Sequence, residues 1–259
     1  MADSDDEAIT LSSHALAALH EFYNERDAHV DKFEKLKVAA EEQHETGKKQ
    51  QAQLSMDLFT EDWNESQFWY SDETATVLAK QLLDGVSEHE VVAVVSAPSV
   101  FVALKNLLNE ADEASPRPKK VYLLEHDHRF AVFPEFVFYD FNHPTKLPVE
   151  LKGGVDRVIC DPPFLSEDCQ TKTALTVRWM SRPAPGPHPR LIVCTGERME
   201  SLITQKLYRS SGALTTTYEP RHARGLGNEF YCYANFECDE WRFRSSGGGE
   251  GENKEGKPD

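Results

Sequence analysis

What the sequence lacks removes several function classes at once. No apolar run in its 259 residues approaches the ~18 that a membrane span needs. The opening Met1-Ala2-Asp3-Ser4-Asp5-Asp6 is acidic and has no apolar centre, so it does not read as a signal peptide. Cysteine is scarce: the 5 present, Cys160, Cys169, Cys194, Cys232 and Cys238, form no CxxC pair and no metal-ligand spacing. No metal site is therefore expected, and thiols of this kind suit a reducing cytosol or nucleus. Positive charge is short as well, with 28 Lys and Arg against 44 Asp and Glu and a net charge of −16. That balance disfavours a nucleic-acid partner, whose binding rests on neutralising phosphates. It favours a basic partner drawn in electrostatically, although acids in the two tails add to the sum without touching any site. No nucleophile, base and orienting group form a recognisable triad, so a covalent intermediate is not expected.

What is present centres on one stretch, Val155-Asp156-Arg157-Val158-Ile159-Cys160-Asp161-Pro162-Pro163-Phe164. The apolar run reads as a buried parallel strand. The two prolines cannot donate ladder hydrogen bonds, so the strand ends there, at the carboxyl edge where open α/β sheets bind ligands. Asp161 offers a carboxylate and Pro162 a carbonyl that no neighbouring strand claims. Two such acceptors can hold the two hydrogens of an amine and aim its lone pair. Phe164 adds a flat apolar wall or a face for a cation. A Pro-terminated strand whose acid caps a helix is the plainer alternative.

Along the chain, Ser12 or Ser13 can cap a helix carrying Leu16, Leu19, Tyr23, Val30, Phe33 and Leu36 on one face, extending to about Gln53. Leu54 to Tyr70 is rich in aromatics without a helical period and reads as a loop wrapped over a pocket. Ser71 caps a helix that stops near Gly85. Strands are expected at Val91–Val95, Val121–Leu124, Phe136–Tyr139, Val155–Cys160, Leu191–Cys194, Leu214–Tyr218 and Phe230–Phe236. Helices fill the gaps at 100–108, 166–180 and 197–207. The last two strands have no helix between them and can pair antiparallel at the sheet edge. The turn after the first strand, Ser96-Ala97-Pro98-Ser99, contains no glycine, where nucleotide folds place a glycine-rich turn. Small residues there permit a close ligand, but the departure keeps a non-catalytic binding protein in view. Glu125 ends the second strand and could take a ribose diol, with Asp127 as its rival, or either acid could cap a helix and pair with Arg129. His126, His128 and His143 read as loop residues.

The order of Ser66-Gln67-Phe68-Trp69-Tyr70-Ser71, Leu123-Leu124-Glu125-His126-Asp127-His128-Arg129-Phe130, Phe138-Tyr139-Asp140-Phe141-Asn142 and Asp161-Pro162-Pro163-Phe164 resembles one family. It is the class I S-adenosylmethionine-dependent methyltransferases that modify amines. Within it, the match is to the lysine methyltransferases of translation elongation factor 1-alpha, a subfamily once filed among adenine-specific DNA methyltransferases. The resemblance covers roughly Leu54 to Phe243. It implies an α/β fold with a doubly wound, seven-stranded, mostly parallel sheet. The expected organisation is an acidic tail and helical extension over 1–53, a methyltransferase domain over 54–244 and a disordered tail over 245–259. It implies S-adenosylmethionine as cofactor, Asp161, Pro162, Pro163 and Phe164 as the catalytic corner, and a basic protein substrate, the elongation factor, met by a cytoplasmic monomer. Trp69, Tyr70 and Thr74 become candidates for the wall at the methionine end, with Ser96 and Ala97 in the first turn. Asp140 would accept from the adenine amine, with Phe141 beside the ring. Plain packing would give Trp69, Tyr70 and Thr74 the same appearance, and Asp140 could equally be a turn former. Methylation of an adenine amine stays open as the second reading.

Overall fold

Val91–Val95 forms the first strand, β1, buried along almost its whole length because it lies inside a sheet covered on both faces. The computed structural model describes residues 54–56, 59, 61, 67–112, 114–183, 188–225 and 229–244. The expected extension helix ending near Gln53, much of the aromatic segment after it and the tail over 245–259 lie outside the described residues. The chain divides into two compact units, Met1–Thr60 and Glu61–Asp259. In the first, the Phe59 N–H donates to the Met56 carbonyl at 2.9 Å.

The second unit carries β1, β2 (Lys120–Glu125), β3 (Phe136–Phe138), β4 (Arg157–Cys160), β5 (Arg190–Gly196), β6 (Leu214–Thr215) and β7 (Phe230–Ala234). They form a 7-stranded sheet in the order β3-β2-β1-β4-β5-β7-β6. Strands β1 to β5 pair parallel, while β7 runs antiparallel to both β5 and β6. This is the doubly wound sheet with one reversed strand that the resemblance implies. The strand order turns back between β1 and β4, and that reversal opens a crevice at their carboxyl ends.

Among the described residues, three α-helices frame the sheet: α1 (Asp72–Leu83), α2 (Pro98–Glu110) and α3 (Glu167–Met180). Ser71 starts α1 as expected, its Oγ accepting from the Thr74 N–H at 3.2 Å. At the other end Arg157, at the base of β4, donates to the carbonyls of Leu82, Asp84 and Gly85 and pairs with Glu90 through Nε at 3.0 Å and Nη2 at 3.1 Å. One buried guanidinium thus satisfies the orphan carbonyls that end α1.

Three expectations are corrected. The fourth strand starts at Arg157 because the Val155 backbone is drawn to the end of α3, accepting from Arg182 and donating to Met180. The helix expected over 197–207 is a 3₁₀ turn, Glu197–Met199, followed by a π-helical stretch, Leu202–Leu207, closed by the Tyr208 N–H on the Ile203 carbonyl. The sixth strand stops at Thr215 because its register to β7 slips there: the Thr216 N–H still donates to the Cys232 carbonyl, but the Cys232 N–H goes on to Tyr218.

The glycine-free turn has a backbone consequence. Ser96 stands at φ 52°, the one non-glycine described residue in the left-handed region, a conformation costing a residue with a Cβ about 1–2 kcal/mol. Its N–H is held by the Leu124 carbonyl at 2.9 Å. Ser96→Gly is expected to raise stability by roughly 0.5 kcal/mol, the relieved strain less the added freedom of the unfolded chain. Ser96→Val is expected to lower it, and thermal melts of both variants check the pair.

Candidate active site

The crevice at the switch point is a cavity of about 580 Å³. β1 contributes Ser96 and Ala97 at its end, β2 contributes Glu125 and His126, and Asp140 and Phe141 follow β3. Asp161, Pro162, Pro163 and Phe164 follow β4 and form one wall together. Trp69 closes the cavity from the segment ahead of α1, and its ring meets Phe130 edge-on at 6.0 Å. The structure therefore brings the four corner residues to one place with Trp69, Ser96, Ala97, Glu125, Asp140 and Phe141. It does not bring Tyr70, Thr74 or Asp127 to the cavity lining.

The physical reason differs for each of those three. Thr74 is buried, and its Oγ1 accepts from the Arg221 N–H at 3.1 Å and the Tyr218 hydroxyl at 3.4 Å. It fastens α1 to the loop before β7. Asp127 caps the 3₁₀ turn His128–Val132. Its Oδ2 pairs with Arg129 at 2.6 Å and accepts from Gln67 Nε2 at 3.0 Å. Burial works to raise its carboxyl, but the Arg129 bonds outweigh that and hold it below the usual range. The ion-pair alternative thus describes Asp127, and Glu125 is the acid that faces the cavity. Tyr70 lies behind the corner, its hydroxyl donating to Asp161 Oδ2 at 2.6 Å.

The corner is pinned at both ends. The Asp161 N–H extends the ladder to the Val95 carbonyl at 3.0 Å. At the far end, buried Gln170 of α3 donates through Nε2 to the Phe164 carbonyl at 3.1 Å and to Thr195 Oγ1 at 2.9 Å. Phe164 remains 39% exposed, enough to meet a second molecule, and packs edge-on with Phe141 at 5.7 Å. Deep placement pushes the Asp161 carboxyl up to about 7, the Tyr70 bond opposing and the Glu125 charge adding to the rise. Burial also pushes Glu125 up to about 7, against the pull of the Asp127 and His126 amides on its Oε1. Glu125 Oε2 takes no hydrogen bond from the described residues. Asp140 forms the turn anticipated as its alternative role, its Oδ1 accepting from the Asn142 N–H at 2.8 Å and its Oδ2 meeting His143 Nδ1 at 2.9 Å.

Residues that sequence reasoning passed over complete the lining. Gln67, Arg198, His222 and Phe230 all reach the cavity. Burial pushes His222 down to about 4, so its imidazole is neutral near pH 7. Its ring lies 4.8 Å from Tyr70 and 4.7 Å from Phe230. The reversed direction of β7 was a signal for Phe230, since it brings the strand's start to the carboxyl end of its parallel neighbours. Nothing local marked Gln170 or His222.

Set beside known proteins, residues 61–238 match the family described as Probable N6-adenine methyltransferase. The chain is 46% identical over 247 residues to the Saccharomyces cerevisiae protein named Protein-lysine N-methyltransferase EFM5, covering 91% of this chain and 95% of that one. It is 39% identical over 235 residues to the Homo sapiens protein named EEF1A lysine methyltransferase 1, covering 90% and 94%. Among solved structures, a branched-chain polyamine synthase from Thermus thermophilus is similar at a TM-score of 0.47 and 13% identity, over 72% of this chain and 63% of that one. The sheet order, the Asp-Pro-Pro-Phe corner at the switch point and identities of this size over nine-tenths of the length converge: the chain belongs to the Probable N6-adenine methyltransferase family and stands in it beside enzymes named protein-lysine N-methyltransferases.

Proposed function

We propose that the protein transfers a methyl group from S-adenosylmethionine to a lysine side-chain amine of translation elongation factor 1-alpha, acting as a cytoplasmic monomer. The observation that carries this reading is that the Asp161–Phe164 corner and Glu125 line one cavity. The residues present fit the cofactor. A volume of about 580 Å³ lies within the ~300–1,000 Å³ usual for small-molecule sites. Glu125 Oε2 is an acceptor available to a ribose diol, and Ser96 and Ala97 allow close approach at the first turn. Trp69 and Phe141 add aromatic surface to the lining, and the family resemblance assigns Asp140, on the same lining, to an adenine amine. When bound, S-adenosylmethionine supplies an electrophilic methyl group next to a positive charge.

The chain's own residues handle the acceptor. A free lysine with pKa ≈ 10.4 is only about 0.04% neutral at pH 7, a cost of roughly 4.6 kcal/mol for the reactive form. Neutral, apolar surfaces such as Phe164, Phe230 and His222 disfavour the ammonium and recover part of it. Asp161 works in the other direction by attracting the ammonium. Its role, with the Pro162 carbonyl, is to aim the nitrogen after its proton has passed to water.

The adenine-amine reading retains one specific support, the description carried by the matched family. A net charge of −16 argues against a nucleic-acid substrate and for a basic protein. Full-length protein given methyl-labelled donor and cell lysate separates the two. Label that protease removes and nuclease leaves, found by mass spectrometry on a lysine of the elongation factor, is the expected result. Label lost to nuclease alone would establish the adenine reading instead.

A further inference from the structure

Tyr70 stands where neither solvent nor a ligand explains it. It is 2% exposed, lies outside the cavity lining and directs its hydroxyl at the most important carboxylate in the site. The backbone holds it from several directions. Its N–H donates to Ser99 Oγ at 3.3 Å, and it forms an antiparallel bridge with His222. On either side, the Ser71 N–H reaches the Arg221 carbonyl at 2.8 Å and the Ala223 N–H reaches the Trp69 carbonyl at 2.9 Å. Two short extended segments, one ahead of α1 and one ahead of β7, thus pair behind Asp161 and carry the tyrosine between them. So much restraint on one hydroxyl is more than packing requires.

We propose that Tyr70 is a positioning residue for methyl transfer: its hydroxyl, fixed 2.6 Å from Asp161 Oδ2, holds the carboxylate turned so that Oδ1 meets the acceptor amine. The inference rests on the reading of Asp161 as the group that aims the amine. A carboxylate on a single Cβ–Cγ bond can rotate, and rotation would sweep the acceptor oxygen out of line. One charge-assisted bond to a rigid ring removes that freedom. Burial raises the tyrosine well above its ordinary range, so it remains a donor wherever the enzyme works. The same bond favours the ionised form of Asp161, the form with both oxygens free to accept.

The other titratable groups around Asp161 do not duplicate this. Cys160, beside it on β4, and Cys194, on β5, are buried thiols raised far enough to stay neutral. His222 is neutral near pH 7, and Arg198 reaches the same cavity. Glu125 titrates in the same range and its charge raises Asp161, but the Tyr70 hydroxyl bonds Asp161. A change on removing that oxygen therefore reaches the two carboxyls through Asp161.

The test is Tyr70→Phe in the full-length protein, which keeps the ring against His222 and removes only the oxygen. Single-turnover methyl transfer is followed from pH 6 to 9 at saturating donor, with donor affinity by calorimetry and a thermal melt as controls. The expected result is a fall in rate of about 10-fold or more at pH 7 with donor affinity kept within about 3-fold. The acidic limb of the profile moves up by about 0.5–1 pH unit, the worth of one hydrogen bond to the ionised form. Tyr70→Leu, which has neither ring nor oxygen, is expected to show the same displaced limb. A lower rate with the limb unmoved would make Tyr70 structural and overturn the inference, as would an unchanged rate. Asp161→Ala distinguishes the underlying reading: transfer retained there would defeat both, whereas transfer lost there with Tyr70→Phe unaffected would defeat this inference alone.

Discussion

Asp161→Ala is expected to lower methyl transfer by about 10³-fold or more while leaving donor affinity within a few fold. Truncation removes the carboxylate beside the Pro162 carbonyl, and with it the alignment of the amine that proximity depends on. The cavity residues proposed for the donor, from Trp69 to Phe141, keep all their groups. The fold is expected to persist for two opposing reasons. The Tyr70 hydroxyl loses its partner, costing about 1–3 kcal/mol. Against that, a carboxyl raised to about 7 by its deep placement no longer has to ionise above that pH. Transfer kinetics, donor calorimetry and a melt on the same preparation make the comparison. Equal loss of transfer and donor binding would show that the residue shapes the site without acting in it.

Glu125→Gln is expected to do two opposite things. Donor binding weakens by about 10- to 100-fold, the ~1.5–3 kcal/mol carried by hydrogen bonds to a charged acceptor. Stability, however, rises in alkaline solution. Glu125 is raised from 4.5 to about 7 in the folded protein, chiefly by burial. The folded state therefore holds a proton that the unfolded chain releases between those values, and stability falls as pH climbs through that window. The full penalty, about 3 kcal/mol at pH 8, is absent from the glutamine variant. Its melting temperature should exceed the parent's at pH 8 and converge with it below pH 5. A constant offset at every pH would mean that Glu125 is not raised in the folded state, and undiminished donor binding would remove it from the site.

Much of the frame was legible because it obeys local rules. Val91–Val95 and Val155–Cys160 are short runs that read as doubly covered strands, the second formed from Arg157 on, and the hydroxyl of Ser71 announced the start of α1. The carboxyl ends of those strands and of β2 then placed Ser96, Asp161 and Glu125 at one crevice. What could not be read depends on partners distant in the chain. Glu125 and Asp127 look alike until Arg129 and Gln67 are seen to occupy one of them. Tyr70 reads as a wall until its bond to a residue 91 positions away shows it to be a support. The stretch after β5 is helical as expected in part, but its i+5 closure at Tyr208 belongs to the packing and not to any spacing of its apolar residues.

The reversal of β7 divides labour along the chain. Because that strand starts where its neighbours end, Phe230 and the loop bearing His222 reach the crevice from the C-terminal half, alongside the Asp161 corner. On the proposed reading, the surfaces offered to the donor come almost wholly from residues 69–141, contributed before the fourth strand begins. Donor and acceptor recognition would then be written in separate stretches of the gene, so drift in the later one would retarget the enzyme while its fuel stays the same.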